Sequence, residues 1–172
     1  MEKDFIEFLK SPRIGSLSLG MSRSALLTIM PKAENTYVPA GYSEEELVID
    51  KYDNGVLSLL FSNSQLDTIE IDLGQFVTDS ELPVIEDVLN LNWLRYAKLL
   101  KFDEFLSISK LIKGIQILRV LQHKGWIGYG NEVLLIKPHN FFFSFFADES
   151  LALRRIETKI LPLPNYEYED VT

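Results

Sequence analysis

The fold is decided by residues 46–74, which read ELVIDKYDNGVLSLLFSNSQLDTIEIDLG. Three extended runs are separated by DNG and NSQ, and DNG is a strong signal for a β-hairpin turn. In the third run, Ile69 and Ile71 alternate with Glu70 and Asp72, so that one face can pack while the other meets water. The stretch therefore predicts an antiparallel meander.

Helical patterns occur in the sequence both before and after this meander. The apolar spacing in EKDFIEFLK predicts a helix over residues 2–10, and helical spacing returns over residues 83–101. Asp103 is expected to cap a further helix that ends at Gly114. Extended runs then follow in IQILRVL, NEVLLIK, NFFFSFFA and LALRRIETKIL. Together the patterns predict an α+β fold, an antiparallel sheet with helices packed on one face.

The stretch GSLSLGMSRSALLTIM, residues 15–30, precedes the meander and predicts the start of a helix. We call this stretch the helix entry. Gly20 suits a bend, and Ser22 is a good N-cap. With Ser22 at the cap, Met21 and Leu26 have the spacing of a hydrophobic staple. These roles are structural, so we assign no functional residue to this stretch.

The elements repeat in order along the chain. Residues 1–76 and 77–163 each contain two helical patterns followed by several extended runs, which suggests two tandem helix-helix-β-meander repeats. Chance recurrence of amphipathic elements is the alternative. No linker separates the halves, so we expect residues 1–163 to form a single α+β domain. Residues 164–172 have little apolar material to pack and are expected to form an exposed acidic tail.

The longer stretch GSLSLGMSRSALLTIMPKAEN resembles the opening of the β-lactamase-inhibitor-protein and outer-membrane-assembly lipoprotein group, which has a similar Gly-Met-Ser/Thr entry into a helix. The resemblance implies helices followed by an antiparallel sheet, and the duplication and binding function of the inhibitor proteins. The chain departs from the group because it has no Cys for disulfides or lipidation, and its second half lacks a clear Gly-Met-Ser. In size and charge it is also similar to bacterial toxin-immunity proteins.

Composition narrows the classes of function. The 172 residues carry a formal net charge of −8, which disfavours nucleic acid as a partner and suits either simple solubility or a basic partner. The absence of Cys excludes disulfides, thiol catalysis and thiolate metal sites. The start, MEKDFIEFLKSPR, is not a signal peptide, and HNFFFSFFAD is too short for a membrane helix. We therefore expect a cytoplasmic protein with no membrane partner.

No motif in the chain indicates catalysis. His123 and His139 have no metal-ligand spacing, and no nucleophile elbow is present. The glycine-rich GWIGYG at residues 125–130 does not match a phosphate-binding loop and precedes a strand rather than a helix. We predict no catalytic residue, no cofactor and no metal, and we interpret the chain as a non-enzyme.

Two segments are candidates for contact with a partner protein. Trp126 and Tyr129 in GWIGYG are either part of a plain loop or an exposed aromatic contact, since such rings often anchor interfaces. Glu44, Glu45 and Glu46 are either a solvated surface or a contact for a cationic partner. Both segments are weak candidates for partner binding.

The leading hypothesis is a non-catalytic protein-binding module, most concretely a bacterial immunity or inhibitor protein that occludes a basic functional surface. Two alternatives stay open. One is a small-ligand-binding protein or enzyme with a site between the two halves. The other is a self-associating structural protein, a homodimer whose seam is the Phe-rich run NFFFSFFAD, which could instead be buried within the chain.

Overall fold

A computed structural model confirms an α+β fold with antiparallel strand pairing, and it describes residues 1–76, 79–121, 132–146, 150–160 and 166–172. The helices are α1 Glu2–Lys10, α2 Arg23–Leu26, α3 Leu94–Ala97 and α4 Phe102–Lys110, with a π-helical turn at Val84–Val88. The strands are β1 Asn35–Tyr37, β2 Leu47–Tyr52, β3 Leu57–Ser62, β4 Gln65–Asp72, β5 Gln116–Val120, β6 Glu132–Lys137, β7 Phe141–Phe145, β8 Leu153–Lys159 and β9 Tyr168–Asp170. Within the described ranges, no helix has the length and apolar character needed to cross a membrane.

The chain divides into two compact units. The meander unit comprises Arg13–Asn92 and Glu157–Leu161, and the aromatic unit comprises Met1–Pro12, Trp93–Ile156 and Pro162–Thr172. Helix α1, which the repeat interpretation places in the first half, belongs to the aromatic unit together with most of the second half of the chain. The tandem repeat stays a prediction.

The meander unit contains the predicted hairpins. Strands β1 to β4 pair in sequence order, and Tyr52 faces Leu57 across the DNG turn. Asp53, Asn54 and Gly55 all have positive φ, at 52°, 56° and 85°, which is the conformation that Asp, Asn and Gly tolerate best. The prediction of a meander from residues 46–74 is therefore confirmed.

Two carboxylates hold the DNG turn against the π-helical turn of the same unit. Glu34 accepts hydrogen bonds from the backbone N–H groups of Asp53 and Asn54, each at 2.9 Å. Asp53 is buried, and its two oxygens accept the N–H groups of Val84 at 3.1 Å and Ile85 at 2.7 Å. Burial raises the pKa of Asp53 above 3.8, and these two hydrogen bonds oppose that shift. The first N–H groups of the 84–88 turn are thus satisfied by a side chain about thirty residues earlier.

The helix entry takes the predicted form in part. Gly20 has a φ of 86°, and the Ser22 hydroxyl accepts the N–H of Ala25 at 3.2 Å as the N-cap of α2. Leu26 is fully buried. The helix itself is only four residues long, shorter than the apolar run suggests, and turns continue the chain to Met30.

The aromatic unit is built around the Phe-rich strand β7. Phe141, Phe143 and Phe145 point to one face, where Phe8 of α1 packs on Phe141, and Phe105 of α4 packs on Phe143 and Phe145. The ring centroids of these pairs are 4.7–5.4 Å apart, which is the range of favourable aromatic contact. Helices therefore cover this face, as the fold prediction requires.

Phe142 points to the opposite face and is also buried. It joins a cluster with Leu118, Val120, Val133 and Leu135, against which Tyr166 and Tyr168 pack. The expectation of burial on both faces is met within the chain itself. The rings at 141–143 and 145 are consequently not exposed to form a dimer seam.

The expectation that the acidic tail does not pack is wrong for residues 166–172. Strand β9 pairs with β5, and Arg119 faces Glu169 in that register. Tyr166 and Tyr168 supply the apolar contact, while Glu167 and Glu169 are exposed. Alternation of Tyr with Glu in residues 166–169 is the sequence signal for a strand with one buried face.

Two helix predictions also need correction. The pattern over residues 83–101 forms a π-helical turn and the short α3 rather than one helix, because Asn90 has a φ of 57° and interrupts it. Helix α4 begins after Lys101, so Asp103 lies in its first turn instead of at the cap. Glu104 accepts the N–H of Lys101 at 3.0 Å. The helix ends at Lys110, before Gly114.

Strand β9 is predicted to loosen in acid. Gln116 and Thr172 donate hydrogen bonds to Asp170, which lower its pKa from 3.8 to about 2. A depressed folded-state pKa means that this stabilisation is complete above pH 3.8 and is lost as the pH falls through about 2. We expect the protection of the Leu121 and Val171 amides from hydrogen exchange, both bonded across this pair of strands, to fall over that interval.

The variant Asp170→Ala should show the same loss of protection already at pH 5, and Glu167→Ala, an exposed neighbour, is the matched control. Equal protection of Leu121 and Val171 in Asp170→Ala and the unaltered protein would contradict the assignment.

Candidate functional site

The structure places the predicted partner-binding residues unevenly. Trp126 and Tyr129 lie outside the described residues, as does His123. Glu44, Glu45 and Glu46 lie in an exposed turn directly before β2. Of the two predicted segments, the acidic run is therefore the one that lies within the described residues.

Glu44 and Glu45 line a surface groove of about 610 Å³ in the meander unit. The groove is formed by α2, by the turn before β2 and by the turn between β3 and β4. Its lining residues are Ser22, Arg23, Ser24, Leu27, Ser43, Glu44, Glu45 and Ser64. The helix-entry stretch, from which we took no functional residue, thus supplies half of the lining.

Arg23 is fixed at the groove by a buried carboxylate. Its Nε and Nη2 each donate to Asp50 at 2.9 Å, the two-pronged geometry in which Arg and carboxylate bind most strongly. The Asp50 side chain is 1% exposed and also accepts the Thr36 hydroxyl at 2.7 Å. These hydrogen bonds to Asp50 are the main reason that the pKa of Arg23 is raised.

The three glutamates of the acidic run have different roles. Glu44 forms an ion pair with the remaining Nη1 of Arg23. Glu46 accepts the N–H and the hydroxyl of Ser43 at 2.8 and 2.9 Å, and these bonds lower the pKa of Glu46. Glu45 is exposed at the groove. Glu44 and Glu45 can therefore face a ligand, whereas Glu46 shapes the turn.

The groove is electronegative and partly apolar. Among the described residues that line it, Arg23 is the single cation beside the carboxylates of Glu44 and Glu45, and the buried Asp50 that pairs with Arg23 adds a third negative charge. The Leu27 side chain lines the groove and is 49% exposed, and Tyr42, next to Ser43, is 55% exposed. Such a surface suits a cationic group with an apolar stem, as Lys and Arg provide.

A buried phenol lies near this ion pair. Tyr52 is fully buried, and its hydroxyl has no hydrogen-bond partner among the described residues. Burial, followed by the charge of Asp50, raises the pKa of Tyr52 to about 12, so it stays neutral. Its burial keeps it away from the groove surface.

No metal-binding group is present in the described part of the chain, where no three His, Cys, Asp or Glu residues cluster suitably. His139 lies exposed in the turn between β6 and β7.

Sequence reasoning missed Arg23, Asp50 and Leu27. A signal for Asp50 existed, since it shares a strand face with Val48 and Tyr52, both buried. A carboxylate in that position needs a cation or several donors, because an unpaired buried charge is very costly. The partner lies 27 residues earlier, at a separation that no local pattern indicates.

The Arg23–Asp50 pair is predicted to stabilise the meander unit. Arg23→Ala leaves Asp50 buried without its cation and should lower the free energy of unfolding by about 3 kcal/mol, measured by urea titration. Arg13→Ala, an exposed Arg of the same unit, is the control and should change stability by less than about 0.5 kcal/mol. The double variant Arg23→Met with Asp50→Leu should recover most of the loss. Equal stability of Arg23→Ala and Arg13→Ala would show that the pair contributes nothing.

Comparison with known proteins adds no relative. No protein-family model, curated protein or solved structure matches this chain. The proposals below therefore depend on the geometry of the described residues.

Proposed function

We propose that this chain is a non-catalytic protein-binding module that receives a basic surface of another protein in the groove of the meander unit. The observation that carries the proposal is the groove itself. Glu44 and Glu45 line it beside the exposed side chain of Leu27, and the charge of its Arg23 is already neutralised by Asp50.

Charge supports a basic partner. The net charge of −8 and the excess of carboxylates at the groove attract a cationic surface and speed its diffusion to this site. The exposed position of Glu45 means that its effect falls mainly on the association rate and its salt dependence. Arg23 holds Glu44 in place through their ion pair and so acts as a positioning residue.

Exposed apolar side chains of the same unit support a protein rather than a small cation. Leu27 lies within the groove, and Tyr42 lies next to its Ser43 wall. Tyr37 on β1 is exposed as well. Tyrosine is enriched among the residues that dominate interface energetics, because it buries a large area at small entropic cost.

The most concrete form of this function is that of a bacterial immunity or inhibitor protein. The chain would cover a basic functional surface of its target, with Lys or Arg side chains of the target seated between Leu27 and the two glutamates. The similarity in size and charge to toxin-immunity proteins supports this form. The resemblance of the helix entry to the inhibitor group supports a binding role more generally.

The test is affinity capture from the source cell, followed by measurement with the purified partner. Glu44→Gln/Glu45→Gln should weaken binding about tenfold at low salt, with most of the change in the association rate. Glu167→Gln/Glu169→Gln removes two exposed charges from the aromatic unit and is the matched control. It should change the affinity by less than about twofold.

The proposal fails if every captured protein binds the groove variant and the control variant equally well. It also fails if the captured protein that discriminates between them is acidic. For the immunity form, the partner must in addition lose its activity when the chain is bound in equal amount.

A further inference from the structure

A second groove lies in the aromatic unit and plays no part in the proposed function. It has a volume of about 630 Å³, within the size range of ligand sites. It is formed by α3, by the turn that follows α3 and by one face of α4. Its lining residues are Tyr96, Leu99, Leu100, Asp103, Glu104, Ser107 and Ile108.

The groove has an unusually exposed apolar side chain. Leu99 lines it and is 75% exposed, and Ile108 lies half-buried on the same wall as Ser107. Leu111, 82% exposed, lies three residues beyond Ile108 and therefore on the same side of α4. Leu99, Ile108 and Leu111 are thus apolar positions that a partner can cover.

Carboxylates border these apolar side chains. Asp103 and Glu104 line the groove, and no basic side chain does so among the described residues. Burial raises the pKa of Tyr96, and the negative charges of Glu2 and Glu104 raise it further. Arg95 and Lys98 belong to the same segment of chain but are not lining residues.

We propose that this groove binds an amphipathic helix of a partner protein, with apolar side chains on Leu99 and Ile108 and Lys or Arg beside Asp103 and Glu104. An apolar groove between short helices is the usual receptor for such a segment. The acidic border selects a basic helix over an acidic one. A second copy of this chain is a poor occupant, because each copy carries a net charge of −8.

The groove can be tested with a defined probe, a fluorescein-labelled 15-residue peptide of Leu and Lys in helical spacing. The control peptide has the same Leu positions with Glu in place of Lys. We expect the Leu/Lys peptide to shift the amide resonances of Leu99, Asp103, Ser107 and Ile108 on titration. Leu99→Ser should weaken its affinity about tenfold, because an anchoring side chain is removed.

Two matched variants separate this site from general attraction to an acidic chain. Ile160→Ser removes an exposed apolar side chain from the meander unit outside the lining of both grooves and should leave the affinity for the peptide unchanged. Asp103→Asn should weaken binding at low salt and have a smaller effect at high salt. Since the proposed function depends on Leu27 and this groove on Leu99, either proposal can fail while the other holds.

Several results would overturn the proposal. One is an unchanged affinity in Leu99→Ser, and another is a set of shifted resonances that excludes Leu99 and Ile108. Equal affinities of the Leu/Glu and Leu/Lys peptides would show that the carboxylates of the groove do not select a basic helix. Self-association in sedimentation that disappears in Leu99→Ser would identify a second copy as the occupant instead.

Discussion

The carboxylate of Asp50 lies on the buried face of β2 and has to be neutralised there. Arg23 does this with two parallel hydrogen bonds, and Thr36 of β1 adds a third donor. The start of α2 is thereby tied to the interior of the meander, although α2 has a single turn and no independent stability. Arg23 in turn holds Glu44 through their ion pair, so both side chains line the groove. The buried carboxylate of Asp50 therefore brings the start of α2 and the acidic turn before β2 together in one groove.

In the aromatic unit, strand β7 has large aromatic rings on both faces, and both faces have to be covered. One face of β7 is covered by α1 and α4. On the other face, Phe142 is buried in a cluster with side chains of β5 and β6, and the Tyr side chains that flank and belong to β9 pack against that cluster. Helices α3 and α4 bury Ala97 and Phe105, and the segment between them buries Leu100 but leaves Leu99 exposed. The two most exposed leucines of this unit among the described residues, Leu99 and Leu111, therefore lie just beyond the ends of these short helices rather than on the Phe-rich strand.

How far the sequence predicts the structure depends on the range of the interactions involved. Alternation in residues 65–72 and the DNG turn are local, and β2 to β4 formed as expected. Helical periodicity over residues 83–101 identified the apolar face, but it could not show that Asn90 adopts positive φ and divides the segment. Helical periodicity indicates which side chains are buried, but it does not indicate where the helical backbone is interrupted.

The candidate site depends on interactions between residues that are even farther apart in the sequence. The charge of Glu44 and Glu45 indicates a contact surface, but the sequence presents Arg23, the ion-pair partner of Glu44, as part of a helix entry. The pairing of Arg23 with Asp50 spans 27 residues and becomes visible only in the folded chain. For the tail, the error lay in counting apolar residues instead of noting their alternation, since Tyr166 and Tyr168 are enough to cover one cluster.

The two carboxylates at the DNG turn couple the hairpin to a segment that could not hold its conformation alone. The π-helical turn at Val84–Val88 covers five residues, too few to persist alone in water. Its first N–H groups find their acceptor on Asp53, which is itself oriented by Glu34 through the backbone of the turn. The 84–88 turn therefore depends for its stability on the hairpin formed by β2 and β3. A change at the tip of this hairpin reaches a segment about thirty residues further along the chain, because the contact has to offset the entropy of closing the loop between them.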